Sequence, residues 1–492
     1  MALTLPHGGR AEHLIEGRWR PPSSGEFQPL EDPSTGERVG EVAVGSVEDA
    51  RAAVDAAVRV EESWGSTPAH ERAKLLRATS ARLAADREGL ARLIATEVGK
   101  PITDARVEVD RASEVFSLAA DEARHLTGET FPADAYARPG GNEHRLLFTL
   151  REPIGVVVAI SPFNFPLNLL SHKVAPALAA GNPVVAKPTS AAPFTALRLA
   201  EHLTEAGLPP GALNVVIGPG GAVGNALIEH PSTRLVTFTG STETGTAIAA
   251  RAARGAKRLL LEMGGLDPFL VLKDAPMERT VADALRGAFG YSGQVCTASK
   301  RFLVEESVAD EFAAGLARGA KALRVGPALE EGTQVGPVID GAAVERLSGL
   351  VEEARERSAR LLAGGAPLKE RRGHFFAPTV LDHVPPEARV AQEEPFGPLA
   401  PILRFSEEEE AVRIANGTAY GLQASVYTLD LRRAFTLARR IRAGGVHIND
   451  PTTLRWDALP FGGVRLSGLG REGVAEAMRE MTEVKLVSVN YA

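Results

Sequence analysis

Four short runs in the middle of the chain constrain its fold more than any other feature. They are "IGVVVAI" (154–160), "NPVVAK" (182–187), "LNVVI" (213–217) and "RLVTFTG" (234–240). Each is rich in β-branched residues, and none alternates apolar with polar positions. A strand with one wet face alternates; a strand covered on both faces reads as an unbroken apolar run. Between them lie helical stretches such as "APFTALRLAEHLTEAG" and "AVGNALIEH". Strand, helix, strand in repetition predicts a doubly wound parallel sheet. From about residue 258 the alternation begins again, with "PFLVL", a helix over 276–289, "RFLVEES" and a helix over 308–323. A second α/β unit is therefore expected.

The flanking segments read differently. Residues 17–45 predict short strands with turns, and Ser46 with Asp49 forms a capping-box pattern ahead of a helix. Pro68 opens a second helix, a third ends at Gly99, and a long one is expected over 102–126. Residues 127–145, rich in Gly, Pro and Ala, read as a connection or hairpin leaving the body. The terminal strand "EVKLVSVNY" has no local partner and invites pairing across subunits, so a homodimer or homotetramer is expected.

Composition excludes several functions. With 62 acidic and 55 basic residues and a net charge of −7, there is no basic excess or stripe of the kind a nucleic-acid binder carries. The longest wholly apolar run, "IGVVVAI", falls far short of the ~20 residues that span a bilayer. "MALTLPHGGRAEH" at the N-terminus has no apolar core of a signal peptide. The histidines form no HxxxH or HExxH and there is no CxxC, so no metal site is expected. A lone cysteine allows no internal disulfide and permits a reducing cytosol, so a cytoplasmic protein is expected.

That cysteine, Cys296, lies in "GQVCTASKR" (293–301). Structural cysteines sit in apolar runs and behave as small hydrophobes. Here the neighbours are Gln294, Thr297, Ser299, Lys300 and Arg301, a polar and cationic setting that suits a thiolate. Two glycine-rich turns could hold phosphate. "IGPGGAVGNAL", with Gly218, Gly220 and Gly224, follows a strand and precedes a helix, but any tight strand-to-helix turn also uses glycine. "FTGSTETG" (238–245) puts Gly240 at a strand end and Ser241 at a helix start, where backbone N–H groups and the helix dipole attract an anion; simple capping is the alternative.

In chain order, "SPFNFPLN" (161–168), "VVAKPTS" (184–190), "FTGSTETG", "LEMGGLDP" (261–268), "GQVCTASKR", "EEPFGP" (393–398) and "PFGGVRLSGLGREG" (460–473) resemble the aldehyde dehydrogenase superfamily over essentially the whole chain. The resemblance implies an α/β fold. It has a Rossmann-like cofactor domain (1–126 and 148–260), an α/β catalytic domain (261–465) and a small β-hairpin oligomerisation extension (127–147 and 478–492). It implies Cys296 as nucleophile, Asn164 as oxyanion donor and Glu262 as the base that hydrolyses a thioester. It implies Lys187, Gly240, Ser241, Glu394 and Phe396 at the cofactor, which is NAD or NADP, and a small-molecule aldehyde as substrate. CoA-acylating relatives usually lack a glutamate at the position of Glu262, so hydrolysis is favoured over CoA transfer. A non-catalytic scaffold would have no need to keep Cys296, Asn164 and Glu262 together.

Three departures matter. Ser190 stands where NAD-specific members often carry glutamate; a carboxylate would repel a 2′-phosphate and a serine can donate to one, so NADP is expected to be accepted. Leu266 replaces the lysine of the common "LGGK", with no functional account from sequence. Arg465 replaces a lysine in the C-terminal motif. For the substrate, Arg455 in "PTTLRWDALPFGG", with Arg106 and Arg111 on the helix 102–126, could recognise phosphate or carboxylate, although surface ion pairing is the plainer reading of each. Val295 stands where some phosphate-using relatives carry arginine. A small polar or anionic aldehyde is expected, of the glyceraldehyde 3-phosphate, lactaldehyde or semialdehyde type.

Overall fold

The four unbroken apolar runs do form strands buried on both faces. In the computed structural model, which describes residues 6–137 and 141–492, they are Val156–Ile160, Val184–Lys187, Leu213–Val215 and Thr233–Thr239, and Arg258–Glu262 adds a fifth. These five run parallel, in the order 258–262, 233–239, 156–160, 184–187, 213–215. The chain thus starts in the middle of the sheet, proceeds to one side, then returns to the other. The reversal lies between Val156–Ile160 and Thr233–Thr239, the point where an open parallel sheet leaves a crevice beyond its carboxyl ends. "SPFN" and "TGS" follow those two strands directly.

Three short strands complete the sheet antiparallel at its edges: His13–Ile15 and Arg18–Arg20 at one, Gly468–Leu469 at the other. Other N-terminal strands, Arg10–Ala11, Phe27–Glu31 and Arg38–Ala43, form a separate small sheet. The capping box holds at Val47–Gly65, where Ser46 and Asp49 bond reciprocally. The helix expected over 102–126 ends at Glu122. Helix Asn168–Ala179 is buried at every position, so His172 and Lys173 are carried into the interior.

A second sheet has seven strands, six of them parallel, with Asp267–Val271 and Ser299–Glu305 near its centre. Only Met263–Leu266 separate the last parallel strand of the first sheet from the first strand of the second. A fourth sheet joins Thr482–Asn490 along its whole length to Arg145–Pro153, which also pairs with Thr130–Phe131. The strand Arg145–Pro153 crosses the division that sequence placed between 147 and 148. Residues 1–5 and 138–140, assigned from sequence to the cofactor unit and the extension, lie outside the described residues. No helix among those described is long and apolar enough to cross a membrane.

Arg301, on a strand of the second sheet, ties the crossing at Leu266 to the end of the helix Glu408–Asn416. Its side chain is fully buried and donates to the carbonyls of Leu266 (2.9 Å), Ile414 (2.8 Å) and Ala415 (2.9 Å). Each buried carbonyl left without a donor costs about 1–3 kcal/mol. Ile414 also accepts from Gly417 N–H (3.1 Å), so Arg301→Met strips two carbonyls and is expected to lower stability by at least about 2 kcal/mol, read as the shift in the urea unfolding midpoint; a shift within error would refute the assignment.

Candidate active site

The loop ahead of the strand Ser299–Glu305 is bent by three successive left-handed residues: Tyr291 (φ 46°), Ser292 (φ 56°) and Gly293 (φ 68°). For non-glycine residues this costs about 1–3 kcal/mol each and persists only where the surroundings enforce it. Here the Tyr291 hydroxyl donates to the Val98 carbonyl (3.1 Å) and Ser292 Oγ to the Gly336 carbonyl (2.7 Å). A Cβ at Gly293 would lie 2.2 Å from the Gly397 carbonyl oxygen, so glycine is required. The bend delivers Cys296 to a position where it lines two cavities at once.

One cavity, about 320 Å³, is lined by Arg111, Phe165, Tyr291, Thr297, Arg455 and Phe461 among others. The second, about 630 Å³, brings Asn164, Gly240, Ser241, Glu262, Glu394 and Phe396 to the other side of the thiol. Asn164 is buried, and its amide donates to the Gln294 carbonyl (3.0 Å), tying the loop after Val156–Ile160 to the loop of Cys296. Ser241 caps the helix Thr242–Ala253 through Thr244 N–H. Phe396, itself at positive φ, packs edge-on against Phe163. Glu394 accepts from Gly265 N–H (3.2 Å) and faces Lys300 (3.1 Å).

The two glycine-rich turns do not compete for one place. Gly220 and Gly224 line a third cavity, about 490 Å³, with Lys187, Thr244 and Arg251, and Glu243 lines both this cavity and the one holding Ser241. Added Cβ atoms at Gly220 and Gly221 would meet nothing, so the turn leaves open room beside Lys187. Lys187 is buried, which pushes its ammonium down to about 8, and its nearest acceptor is the Pro188 carbonyl at 3.4 Å. Ser190 lies half-buried in the turn that follows.

Buried charges set the electrostatics. Neither Glu262 oxygen has a hydrogen-bond partner. Burial, and then the charge of Glu472, push its carboxyl up to about 8. Glu472 behaves oppositely. Burial alone would raise it, but Lys173 (2.7 Å) and Arg455 (3.1 Å) hold it at about 2. Cys296 is pushed well up by burial and by Glu262, against the opposing pull of Lys300 and Arg455. The cationic loop read from sequence therefore does not by itself ionise the thiol: Arg301 turns away to three carbonyls, and Lys300 is engaged by Glu394 and the Cys296 carbonyl.

The three arginines separate. Arg111 lines the smaller cavity, gripped by Asp457 through two hydrogen bonds (2.9 and 2.7 Å), and Asp457 also bonds His172 (2.8 Å). Arg455 lines it too, lying over the Phe461 ring. Arg106, expected near the substrate mouth, does not line it; its guanidinium is taken up by Glu88 and Glu331 on the surface. Leu266 is buried and offers its carbonyl to Arg301. Sequence reasoning missed Lys100, whose buried ammonium pairs with Glu108 and lies over Phe165, and the group of His172, Lys173, Asp457 and Glu472. The signal was present in "NLLSHKVAPALA", where a histidine and a lysine interrupt an apolar helix. Among the described residues no group of three or more His, Cys, Asp or Glu could hold a metal ion.

Comparison with known proteins gives one result. The family model for the aldehyde dehydrogenase family matches residues 19–487. The NADP(+) succinate-semialdehyde dehydrogenase GabD of Escherichia coli (strain K12) is 39% identical over 480 residues, 98% of each chain. The lactaldehyde dehydrogenase of Methanocaldococcus jannaschii is 38% identical over 481 residues, 97% of this chain and all of that one (100%). The crystal structure of an E. coli NADP-dependent enzyme superposes with a TM-score of 0.95 at 38% identity, covering 99% of this chain and 100% of the other. A family-model match over residues 19–487, relatives nearly 40% identical from end to end and a backbone match at a TM-score of 0.95 have one explanation: the chain belongs to the aldehyde dehydrogenase family.

Proposed function

We propose that the protein oxidises a small polar aldehyde to its carboxylic acid, with NAD(P)⁺ as acceptor. The observation that carries this is the position of Cys296, which opens to a small cavity on one side and to the larger groove on the other. Aldehyde and cofactor can then approach one sulfur from opposite directions without competing for space.

The groove fits a dinucleotide. The open turn at Gly220 and Gly221 with an under-partnered Lys187, and the capped helix start at Ser241, give an adenosine end and a phosphate station. Glu394 and Phe396 would hold the other end near Cys296. When bound, the nicotinamide ring supplies the acceptor for a hydride leaving the carbon attached to sulfur. Lys187 and Arg251 line that cavity, and Ser190 follows Lys187 by three positions; the two cations and the hydroxyl support acceptance of a 2′-phosphate.

The chain's own residues do the remaining work. Sγ of Cys296, its proton given up to solvent, bonds to the aldehyde carbon as a thiolate, and the carbonyl π pair moves to oxygen as an oxyanion. The second N–H of Asn164 and the Cys296 backbone N–H are the donors for that oxygen; losing one such donor typically costs ~10²–10³ in rate. Once the carbon is oxidised, a thioester remains on Cys296. Glu262, its proton returned to solvent, then takes a proton from water as the water oxygen attacks the acyl carbon, and the C–S bond breaks to give the acid and the thiol. A buried carboxyl beside the thiol supports hydrolysis over transfer to CoA. Arg111 and Arg455, on the substrate side, favour an aldehyde bearing hydroxyl or anionic groups. The relatives named for succinate semialdehyde and lactaldehyde support the same class. The exposed apolar side chains Val484 and Leu486 of the terminal strand support a homodimer or homotetramer, and the lone thiol suits the cytoplasm.

Three outcomes test this reading. Glu262 must be ionised to accept water's proton, and its folded value is raised, so the hydrolytic rate should climb as pH rises through about 8. Glu262→Gln should release about one NAD(P)H per thiol, then turn over ~10²–10⁴-fold more slowly, without that pH limb; steady turnover at the wild-type rate would refute the role. Ser190→Glu should shift the ratio of kcat/KM for NADP⁺ over NAD⁺ downward by about tenfold or more; an unchanged ratio would remove Ser190 from cofactor choice. Arg111→Gln should raise KM for succinate semialdehyde and glyceraldehyde 3-phosphate about tenfold or more while sparing propionaldehyde; an equal effect on all three would withdraw the substrate assignment.

A further inference from the structure

Lys300 is in an unusual place. In the parallel ladder between Asp267–Val271 and Ser299–Glu305, Asp267 pairs with Ser299 and Pro268 with Arg301, which leaves Lys300 with no opposite residue. It is the extra residue of a β-bulge, a device that re-aims a side chain and recurs next to active sites. The bulge turns Lys300 inward, where it is fully buried. Burying an ammonium is costly unless acceptors compensate it. Its acceptors here belong to the catalytic machinery: the ammonium donates to the Cys296 carbonyl and lies 3.1 Å from Glu394 Oε1, with Asp267 also facing it. The adjacent Arg301 already serves the structural carbonyls, so tying the crossing to the helix end does not account for Lys300.

We propose that Lys300 is a positioning residue that links Glu394, in the cofactor groove, to the nucleophile Cys296, so that occupancy of Glu394 changes how readily the thiol ionises. The proposal rests on the aldehyde dehydrogenase reading for the identity of the groove's ligand. With the groove free, Glu394 absorbs much of the ammonium's charge. Ribose hydroxyls donating to Glu394 would compete with Lys300 for the carboxylate, and more of that positive charge would then act at Cys296. The charged groups that face the thiol are Glu262, Lys300, Arg455 and Arg111; those that face Lys300 are Glu394, Asp267 and Cys296, with Tyr420 near both Lys300 and Glu394. Of the described carboxylates, Glu394 alone both lines the groove and touches Lys300. The ammonium also supplies a cation near Glu394 in a chain that has Leu266 where the family's common motif has lysine.

Cys296 is the one cysteine in the sequence, so its alkylation by iodoacetamide against pH reads the thiol directly, without turnover. NADPH is the probe, because its nicotinamide ring carries no positive charge of its own. Saturating NADPH should lower the alkylation midpoint of the wild type by about one pH unit. Lys300→Met should raise the midpoint of the free protein by about one unit and cancel the response to NADPH, whereas Lys300→Arg should keep both. Glu394→Gln, which frees the ammonium, should lower the midpoint without NADPH and also cancel the response. Should Lys300→Met fail to fold, the wild type with and without NADPH and the Glu394→Gln variant still decide. A wild-type midpoint indifferent to NADPH, a Lys300→Met profile identical to wild type, or shifts of the same sign in the two variants would overturn the proposal. Failure to oxidise any aldehyde would instead sink the proposed function and leave these midpoints readable.

Discussion

The short crossing from Glu262 to Asp267 governs the geometry of this protein. One residue ends a parallel strand of the first sheet and the other opens a strand of the second, with Met263–Leu266 between. So short a link forces the carboxyl end of one sheet against the starting edge of the next. Ser467 fastens the crossing: its hydroxyl donates to the Gly264 carbonyl (2.7 Å) and accepts from Gly421 N–H (2.9 Å), and its carbonyl accepts from Met263 N–H (3.0 Å). Gly264 and Gly265 leave no room for side chains, since a Cβ at Gly264 would collide with Glu394 and one at Gly265 with the Cys296 carbonyl. The thiol of Cys296 and the carboxyls of Glu394 and Glu262 are therefore brought together by backbone geometry before any side chain chooses a rotamer.

Around that seam the interior carries charge in matched groups. Lys173, Glu472 and Arg455 form one, Arg111, Asp457 and His172 another, and Lys100 with Glu108 a third. Such groups add little net stability over apolar packing, but removing one member leaves an uncompensated buried charge at a cost of about 3–5 kcal/mol. Their value here lies in what they do to neighbours. Glu472 stays ionised because two cations hold it so, and burial, with the Glu472 charge added to it, keeps Glu262 largely protonated near neutral pH. Burial, and then the neighbouring Glu262, make Cys296 harder to ionise. The site thus holds a thiol and a carboxyl that are both pushed toward their protonated forms.

Much of this was legible in the sequence. Unbroken β-branched runs announced strands covered on both faces, because burial on two sides removes the reason to alternate. Cys296, Asn164 and Glu262 were found through motifs whose spacing reflects strand ends, and the structure gathers them around one thiol. What stayed hidden depended on direction in space. Arg106 and Arg111 differ by little more than one helical turn, yet one faces Glu88 and Glu331 at the surface and the other faces the cavity; sequence carries no marker for that rotation. Nothing in "CTASKR" tells that Arg301 reaches three carbonyls while Lys300 bulges toward Glu394. The two glycine-rich turns line neighbouring cavities that share Glu243, since adjacency across a sheet is not adjacency in the chain.

The proposed reaction passes through one sulfur atom holding an acyl group. The most direct test is peptide mapping by mass spectrometry of enzyme acid-quenched during turnover of an aldehyde with NADP⁺. The expected adduct is the aldehyde's mass less two hydrogens, confined to the peptide that carries Cys296. Steady acid formation with that peptide unmodified throughout, or with the adduct on another residue, would contradict the account.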